Sequence, residues 1–519
     1  MNIKNIVLTV FTSGLFWGYA NAQSIDDAVI FSKDDNAATA RIKGMGNVQT
    51  ALGGDISSVN GNPAGLGFFS RSDINITFDY LHNSNKSNFL GNDSKSTKGN
   101  FGVSQAGVVF NFPSRNQLQG YKGWQNLNIG ISYNKKQNFS NSLIYNGDNQ
   151  ETSYVNNLTD LMANSESFEN DFKYSNIVEK FAVAQDGYFP LAEEFYNKNQ
   201  VNDILTKGFN SNTAIAFGAN YNNTFYIGAT LGMSFFKYEK SKVFSEYGMT
   251  KLPADVLKDN PNSEYAKPSN PDKYRFLDKS YELIDDYAQN TEGSGVDLKI
   301  GMIFKPSFDW NIGLTITTPT WYSITDRTDA FTDIYFFEDE TTANHFNKYE
   351  SDLAQSNEDY NFISPWKFSL GATKFFDRGL LSAEAEYITY NTMKYSDYNY
   401  PNYYSSTNDD IKDYLKGAFN LRVGGEYLLT DRVSGRAGFN IIGTPYKDVE
   451  ETNVNGSVGL GFKLSKSTYL DLTVIHQVNS YSASPYKLSD FWHNSGSFEP
   501  VADIKHSRTN ALITIGAKF

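Results

Sequence analysis

The sequence predicts an all-β fold: a transmembrane antiparallel β-barrel of about fourteen strands, its lumen plugged by an N-terminal segment. Three observations predict it. Apolar and polar residues alternate along many runs, long and short connections between those runs alternate from end to end, and the last residue is the aromatic Phe519. Composition agrees. Aromatics are 15% of the 519 residues, with 34 Tyr and 39 Phe, and there are 40 Gly against 14 Pro. Aromatic side chains fit a pleated surface and glycine fits tight turns, so strands are favoured.

The first element in order is a leader. Residues 1–23, MNIKNIVLTVFTSGLFWGYANAQ, carry Lys4, an apolar stretch at 6–16 and the small-x-small site Ala20-Asn21-Ala22. That is the layout of a secretory signal cleaved after residue 22. Its apolar run is shorter than the ~20 residues a membrane helix needs, and no later run approaches that length. The expected organisation is a signal peptide at 1–22, a plug at 23–70 and a barrel at 71–519.

The strands follow from period two. In DINITFDY, Ile74, Ile76, Phe78 and Tyr80 alternate with Asp73, Asn75, Thr77 and Asp79. In VDLKIGMIF, Val296, Leu298, Ile300, Met302 and Phe304 share one face, with Asp297, Lys299 and Gly301 on the other. Strands are expected near 72–81, 101–112, 125–136, 211–222, 224–239, 294–305, 309–319, 364–376, 379–391, 417–430, 432–442, 456–464, 468–477 and 507–519. A further candidate at 331–339 breaks the alternation of long and short links and the even count of bacterial barrels, so it is assigned to a loop. The long outside loops are then 137–210, 240–293 and 320–363. A soluble sandwich also alternates, but it gives no reason for every long connection to lie at one end. In hydrocarbon every backbone N–H and C=O must be paired internally, which strands achieve only by closing into a barrel. A mean hydropathy of −0.47 is compatible, because half of each strand and all long loops face water. The closing strand places Ala511, Ile513, Ile515, Ala517 and Phe519 on one face. It resembles the signal read by the barrel-assembly machinery, which makes that machinery and outer-membrane lipid the expected partners.

A lumen of about fourteen strands is too wide for wall side chains to fill, so it is either a water pore or plugged. Residues 23–70 are rich in Gly, Ala, Asn and Ser without a strand-like run, and suit an irregular segment enclosed by protein. Within them stand Gly44-Met45-Gly46, then Ala51-Leu52-Gly53-Gly54-Asp55, then Asn62-Pro63-Ala64-Gly65-Leu66. This ordered set resembles the N-terminal region of the FadL family of outer-membrane transporters for fatty acids and other hydrophobic compounds. The resemblance extends to LLSAEAEYITYNTM and NLRVGGEYLL in the barrel.

It implies residence in the outer membrane of a Gram-negative bacterium and passive uptake of a hydrophobic, fatty-acid-like ligand. In that family the ligand binds in the lumen, and rearrangement of the N-terminal hatch opens a path, in characterised members through a lateral gap in the wall. The hatch residues are then Gly44, Met45, Gly46, Asn62, Pro63, Ala64, Gly65 and Leu66, with no cofactor. Pro63, Gly61 and Gly65 are expected to fold the chain sharply, so that Leu66, Phe68 and Phe69 seat against the first strands.

Extending the alternation puts Asp297, Lys299, Glu384, Glu386, Arg422, Glu426, Arg436 and Asp471 in the lumen. They read as an ion-pair ladder across neighbouring strands. A sharper expectation is that Lys299, Arg422 or Arg436 takes a ligand carboxylate through a charge-assisted hydrogen bond. The tyrosine-rich run at 386–404 reads first as an aromatic girdle and second as loop contacts. Asp409, Asp410 and Asp413 do not have EF-hand spacing and read as solvated loop acids.

Other functions lose support. A formal charge of −13 opposes nucleic-acid binding, which needs clustered Lys and Arg. The absence of Cys removes disulfides and thiolate chemistry. No nucleophile elbow, zincin motif or phosphate-binding glycine loop appears, so no catalytic residues and no metal site are assigned. His82, His345, His476, His493 and His506 are scattered and give haem binding no support. The alternatives are a FadL-like barrel serving protein secretion or surface binding, and a general porin.

Overall fold

The computed structural model describes residues 24–34, 38–181, 187–341, 343–447 and 453–519. The signal peptide expected at 1–22, together with Gln23, lies outside the described residues. Fourteen strands make the wall. They are β1 (Asp73–Phe89), β2 (Asn92–Pro113), β3 (Trp124–Asn138), β4 (Lys198–Tyr221), β5 (Phe225–Met249), β6 (Ser280–Ser307) and β7 (Trp310–Thr317). Then come β8 (Lys367–Phe376), β9 (Gly379–Ile388), β10 (Ala418–Leu428), β11 (Val433–Ile442), β12 (Asn453–Lys463), β13 (Thr468–Ala483) and β14 (Ala502–Lys518). Each pairs antiparallel with the next. The ring closes where β1 pairs with β14, from Asp73↔Lys518 to Phe89↔Ala502. The expected strand number and parity therefore hold.

The two faces of β6 show why the ring belongs in a bilayer. Val296, Leu298, Ile300, Met302 and Phe304 point outward and are 48, 49, 52, 36 and 47% exposed. Asp297, Gly301 and Ile303 between them are buried. An apolar band of this size on every side of a molecule is stable only against lipid. Tight turns close the strands at the plug end. The three residues between β4 and β5 turn on Asn222 and Asn223, which both take φ +55°, the paired left-handed geometry of a tight hairpin turn, and Thr224 N donates to Tyr221 O at 3.1 Å.

The strands run further outward than expected. β4, β5 and β6 have 24, 25 and 28 residues, well beyond the ~9–11 that cross a bilayer. Much of 137–210, 240–293 and 320–363 is therefore strand rather than loop. Residues 331–339 are a correction. Most of them are the outer end of Trp321–Phe337, which continues β7 past Thr318-Pro319-Thr320 and pairs with the outer half of β6. Above the bilayer the outward face has no need to be apolar, so the hydropathy signal fades while the ladder persists. The segment adds no fifteenth strand.

These extensions carry a roof. Helices Tyr154–Asn164 and Glu166–Phe172 pack Leu158, Met162, Phe168 and Phe172 onto Phe244 of β5, Tyr281 of β6 and Phe336. Tyr486 and Trp492, from the connection between β13 and β14 across the ring, join the same core. Glu246 of β5 is buried beneath it. Its carboxylate accepts from Tyr154 N (2.9 Å), Tyr281 OH (2.6 Å), Gln200 Nε2 (2.6 Å) and Ser153 Oγ. Four donors satisfy a charge that would otherwise be costly to bury.

Candidate functional site

The N-terminal segment crosses the lumen. Helix α1 (Ile25–Ser32) starts on a capping box in which Ser24 Oγ accepts from Asp27 N at 3.0 Å. Helix α2 (Ala40–Gly44) packs against β11 to β14, while the turn Pro63–Phe68 lies against β3 to β6 on the opposite side. The wall admits this segment by removing side chains. A Cβ on Gly424 would lie 1.9 Å from Met45 O, one on Gly438 2.0 Å from Gly46 N, and one on Gly313 1.9 Å from Thr50 O. Glycine is required at these strand positions because backbone meets backbone there.

Wall side chains then satisfy the segment's peptide groups. Thr514 Oγ1 accepts from Ala40 N (2.8 Å), and Thr473 Oγ1 donates to Ala40 O (2.6 Å). Ser457 Oγ accepts from Gly46 N (3.0 Å), and Glu384 Oε2 accepts from Gln49 N and Thr50 N (2.9 and 2.8 Å).

The residues marked in the sequence take definite places. Gly44 ends α2, and Met45 is buried with Ile42, Val48 and Leu52. Gly46 and Asn47 have φ of +68° and +62° and turn the chain after α2. Asn62 caps the following turn through its Oδ1, which accepts from Ala64 N at 3.1 Å, and its Nδ2 donates to Thr50 O at 2.6 Å. Pro63 occupies the first turn position, where its missing N–H costs nothing. Ala64 is buried against Tyr226 and Ile303. A Cβ on Gly65 would meet Ser58 Oγ at 2.4 Å, and Leu66 lies over Gly130 and Gly218. Leu66 and Phe69, clustered with Val109 of β2, sit on the first strands. Phe68 instead stacks on Tyr226 of β5, with centroids 3.9 Å apart.

The lumen charges form the expected ladder. Arg422 is held between Glu384 and Glu386, both at 2.6 Å. Arg436 is held between Glu426 and Asp471, both at 2.6 Å, reaching past Gly461 to do so. Sequence reasoning missed that the ladder continues onto the plug. Arg41 Nε and Nη2 grip Glu426 at 3.1 and 3.0 Å. Lys299 differs from the two arginines. It donates to Asn60 O and borders a polar chamber with Lys136, Lys367, Asp34 and Asp297. Lys136 (3.0 Å from Ser234 Oγ) and Lys367 (3.2 Å from Asp34) were not singled out from sequence.

Next to that chamber the lumen turns aromatic. Phe236, Tyr238, Tyr322, Tyr360, Phe362 and Tyr395 are buried around Ala28, Val29 and Phe31 of α1. Phe31 stacks on Phe236 at 4.7 Å and meets the edge of Tyr238 at 6.0 Å. Tyr395 OH donates to Ser24 O (3.1 Å) and Tyr446 OH to Asp26 Oδ1 (2.7 Å). Burial pushes the carboxyls of both Asp26 and Asp27 above their usual range. Much of the tyrosine run thus differs from the expected girdle: Tyr390, Tyr395 and Tyr404 turn inward and are buried in this cluster. Asp409 pairs with Lys412 in the helix Ser405–Tyr414.

The wall also has a seam. Backbone pairing of β2 with β3 stops at Gln105↔Asn134. Further out, Asn141–Asn149 continues β3 but pairs only with β4. The carbonyls of Ser142, Ile144 and Asn146 accept side-chain bonds instead, from Asn85 Nδ2 (2.6 Å), Ser87 Oγ (2.8 Å) and Asn92 Nδ2 (3.0 Å).

No family model and no curated protein matches the chain. Solved structures do. A Pseudomonas aeruginosa FadL homologue aligns with a TM-score of 0.53 at 13% identity, over 94% of this chain and 100% of that one. The Pseudomonas putida toluene transporter TodX aligns with a TM-score of 0.50 at 10% identity, over 94% and 100%. At such identities the likeness is one of fold, and in fold this chain is a FadL-type plugged barrel of the outer-membrane kind.

Proposed function

We propose that the barrel carries hydrophobic small molecules, such as long-chain fatty acids, across the outer membrane without an energy source. The observation that carries this reading is the aromatic ring packed around α1. A water-filled pore would line its lumen with polar groups, whereas here a ring of buried Phe and Tyr encloses α1. Such a surface suits an apolar ligand once α1 withdraws. In the polar chamber beside it, Lys136 and Lys367 already pair with Asp297 and Asp34, whereas Lys299, which donates to the neutral Asn60 O, suits a carboxylate head. Arg422 and Arg436, each already holding two carboxylates, are less suited. Lateral release fits the seam between β2 and the outer continuation of β3, where side-chain bonds replace a ladder. That TodX is a toluene transporter supports a hydrophobic cargo.

Uptake of radiolabelled oleate and toluene by a deletion strain, with and without the restored gene, tests the proposal. Restored uptake of either is the expected result. Passage of hydrophilic solutes instead, or steady conductance of the purified protein in planar bilayers, would establish the general porin in its place.

A further inference from the structure

The outward surface of β1 holds a feature that transport does not use. Lys86 stands directly opposite Lys95 of β2 and Lys505 of β14, so three lysines form one rung across three strands. Like charges opposite one another on a sheet repel. None of the three ammonium groups has an ion-pair or hydrogen-bond partner among the described residues. Elsewhere on the outer surface the pattern is the reverse: Lys237 of β5 lies 3.1 Å from Glu239 and 3.2 Å from Glu292. The acids of the next outward-facing rung, Asp93 and Asp503, are engaged by Asn88 Nδ2 (2.7 Å) and Ser482 Oγ (2.9 Å) rather than by the lysines.

Height identifies what faces the rung. Tyr80 and Phe101, 49 and 70% exposed, mark the outer edge of the lipid band on this side. Lys86 stands about 20 Å further along the strand, or roughly 15 Å along the membrane normal at the usual tilt. That is the level of headgroups and their sugars in the outer leaflet. A cleft there is lined by Lys86, Lys95 and Lys505 with Ser94, Ser480 and Ser482, and at the next rung by Asp93 and Asp503.

We propose that this rung binds the phosphates of a phosphorylated glycolipid of the outer leaflet. Lysine presents three donors on a compact charge, which suits phosphate oxygens, and the bound anion relieves the repulsion within the rung. The hairpin it would steady includes the outer half of β2, the strand that lacks a backbone partner at the seam.

The test uses the full chain purified in detergent. The wild type is compared with K86Q/K95Q/K505Q and with K86R/K95R/K505R, each checked for the heat-modifiable mobility of a folded barrel. Co-purifying glycolipid is measured by native mass spectrometry. Rebinding is measured with the phosphorylated glycolipid, its dephosphorylated form and inorganic phosphate. The expected result is retention by the wild type and the arginine variant, with a loss of about fivefold or more in the glutamine variant and in the dephosphorylated lipid. Equal retention by the glutamine variant overturns the proposal. So does inorganic phosphate binding as tightly as the glycolipid, which would make the rung a free-anion site.

Discussion

The grip of Arg41 on Glu426 predicts how firmly the plug is held. Arg41 makes two charge-assisted hydrogen bonds to the wall, at 3.1 and 3.0 Å. Arg41→Ala removes both, and the carboxylates left behind keep partners: Glu426 keeps Arg436 at 2.6 Å, and Asp55, 3.8 Å from Arg41, still accepts from Thr39 Oγ1 and Ser57 N. Hydrogen bonds to charged groups contribute about 1.5–3 kcal/mol each. The side chains here are 24 and 17% exposed, so solvent brings the pair toward the low end, about 2–3 kcal/mol in total. At 1.4 kcal/mol per factor of ten, the displaced state gains roughly 30–150-fold in population. Arg41→Lys, which keeps the charge but not the fork, falls between. The assay is the frequency of opening events in planar bilayers, with gel mobility confirming that the barrel itself is folded. An opening frequency for Arg41→Ala within about twofold of wild type would refute the assignment of this ion pair as a plug lock.

Other expectations follow from the same geometry. Gly424→Val drives a side chain onto Met45 O and should displace the plug and raise conductance, whereas Gly456→Val, with nothing within 4 Å of its Cβ, should behave as wild type. Because burial raises the carboxyls of Asp26 and Asp27 above the ordinary value of 3.8, docked α1 favours their protonated forms. Docking is then strongest in acid and weakens as pH rises through the raised values. A fluorescent fatty acid should accordingly bind better at neutral than at acid pH, and Asp26→Asn with Asp27→Asn should flatten that profile and weaken binding at neutral pH. Since the chain has no Cys, paired cysteines can lock the plug: Ala40→Cys with Thr514→Cys should stop uptake until reduced, while Ala64→Cys with Ile303→Cys should leave it intact.

What the sequence made legible was set by the bilayer. Within the lipid band the outward face must be apolar, so residues such as Val296, Leu298 and Ile300 announce their strand, and the strand number follows. Above the band that constraint ends. The inward residues of outer β5, Lys242, Phe244 and Glu246, alternate in burial with their neighbours, but not in hydropathy, and the strand reads as loop. Helix α1 was missed for another reason. Eight residues carry little periodic signal, although Ser24 followed three residues later by Asp27 is a capping box visible in the sequence. The lysine chamber was half legible: Lys299 lies in a clean alternating strand, whereas Lys136 falls at the end of one and Lys367 follows Pro365. Arg41 had no signal, since its partner is fixed only when α2 meets β10.

The plug is held by two kinds of contact, and the difference indicates which part moves. Residues 56–69 are anchored by apolar packing: Ile56, Val59, Leu66 and Phe69 are buried with Val109, Ala214 and Ala216, and Phe68 stacks on Tyr226. Withdrawing them exposes apolar area to water, at roughly 25 cal/mol per Å². Residues 40–50 touch the wall through hydrogen bonds and the Arg41 ion pair, with a smaller apolar contact of Ile42, Met45 and Val48 near Phe375 and Leu380. Water replaces such bonds at little net cost, about 0.5–1.5 kcal/mol for a neutral one. The glycines beneath them, Gly313, Gly424 and Gly438, carry no side chains that interdigitate with the plug. Helix α1, ahead of residues 40–50, is held by apolar packing of Ala28, Val29 and Phe31 in the aromatic ring, so under the proposed function a ligand that takes the place of Phe31 compensates that loss before the polar contacts of 40–50 are exchanged for water. Under the proposed function, the turn at Asn62-Pro63, held to β5 and β6, would serve as the pivot about which the N-terminal half swings.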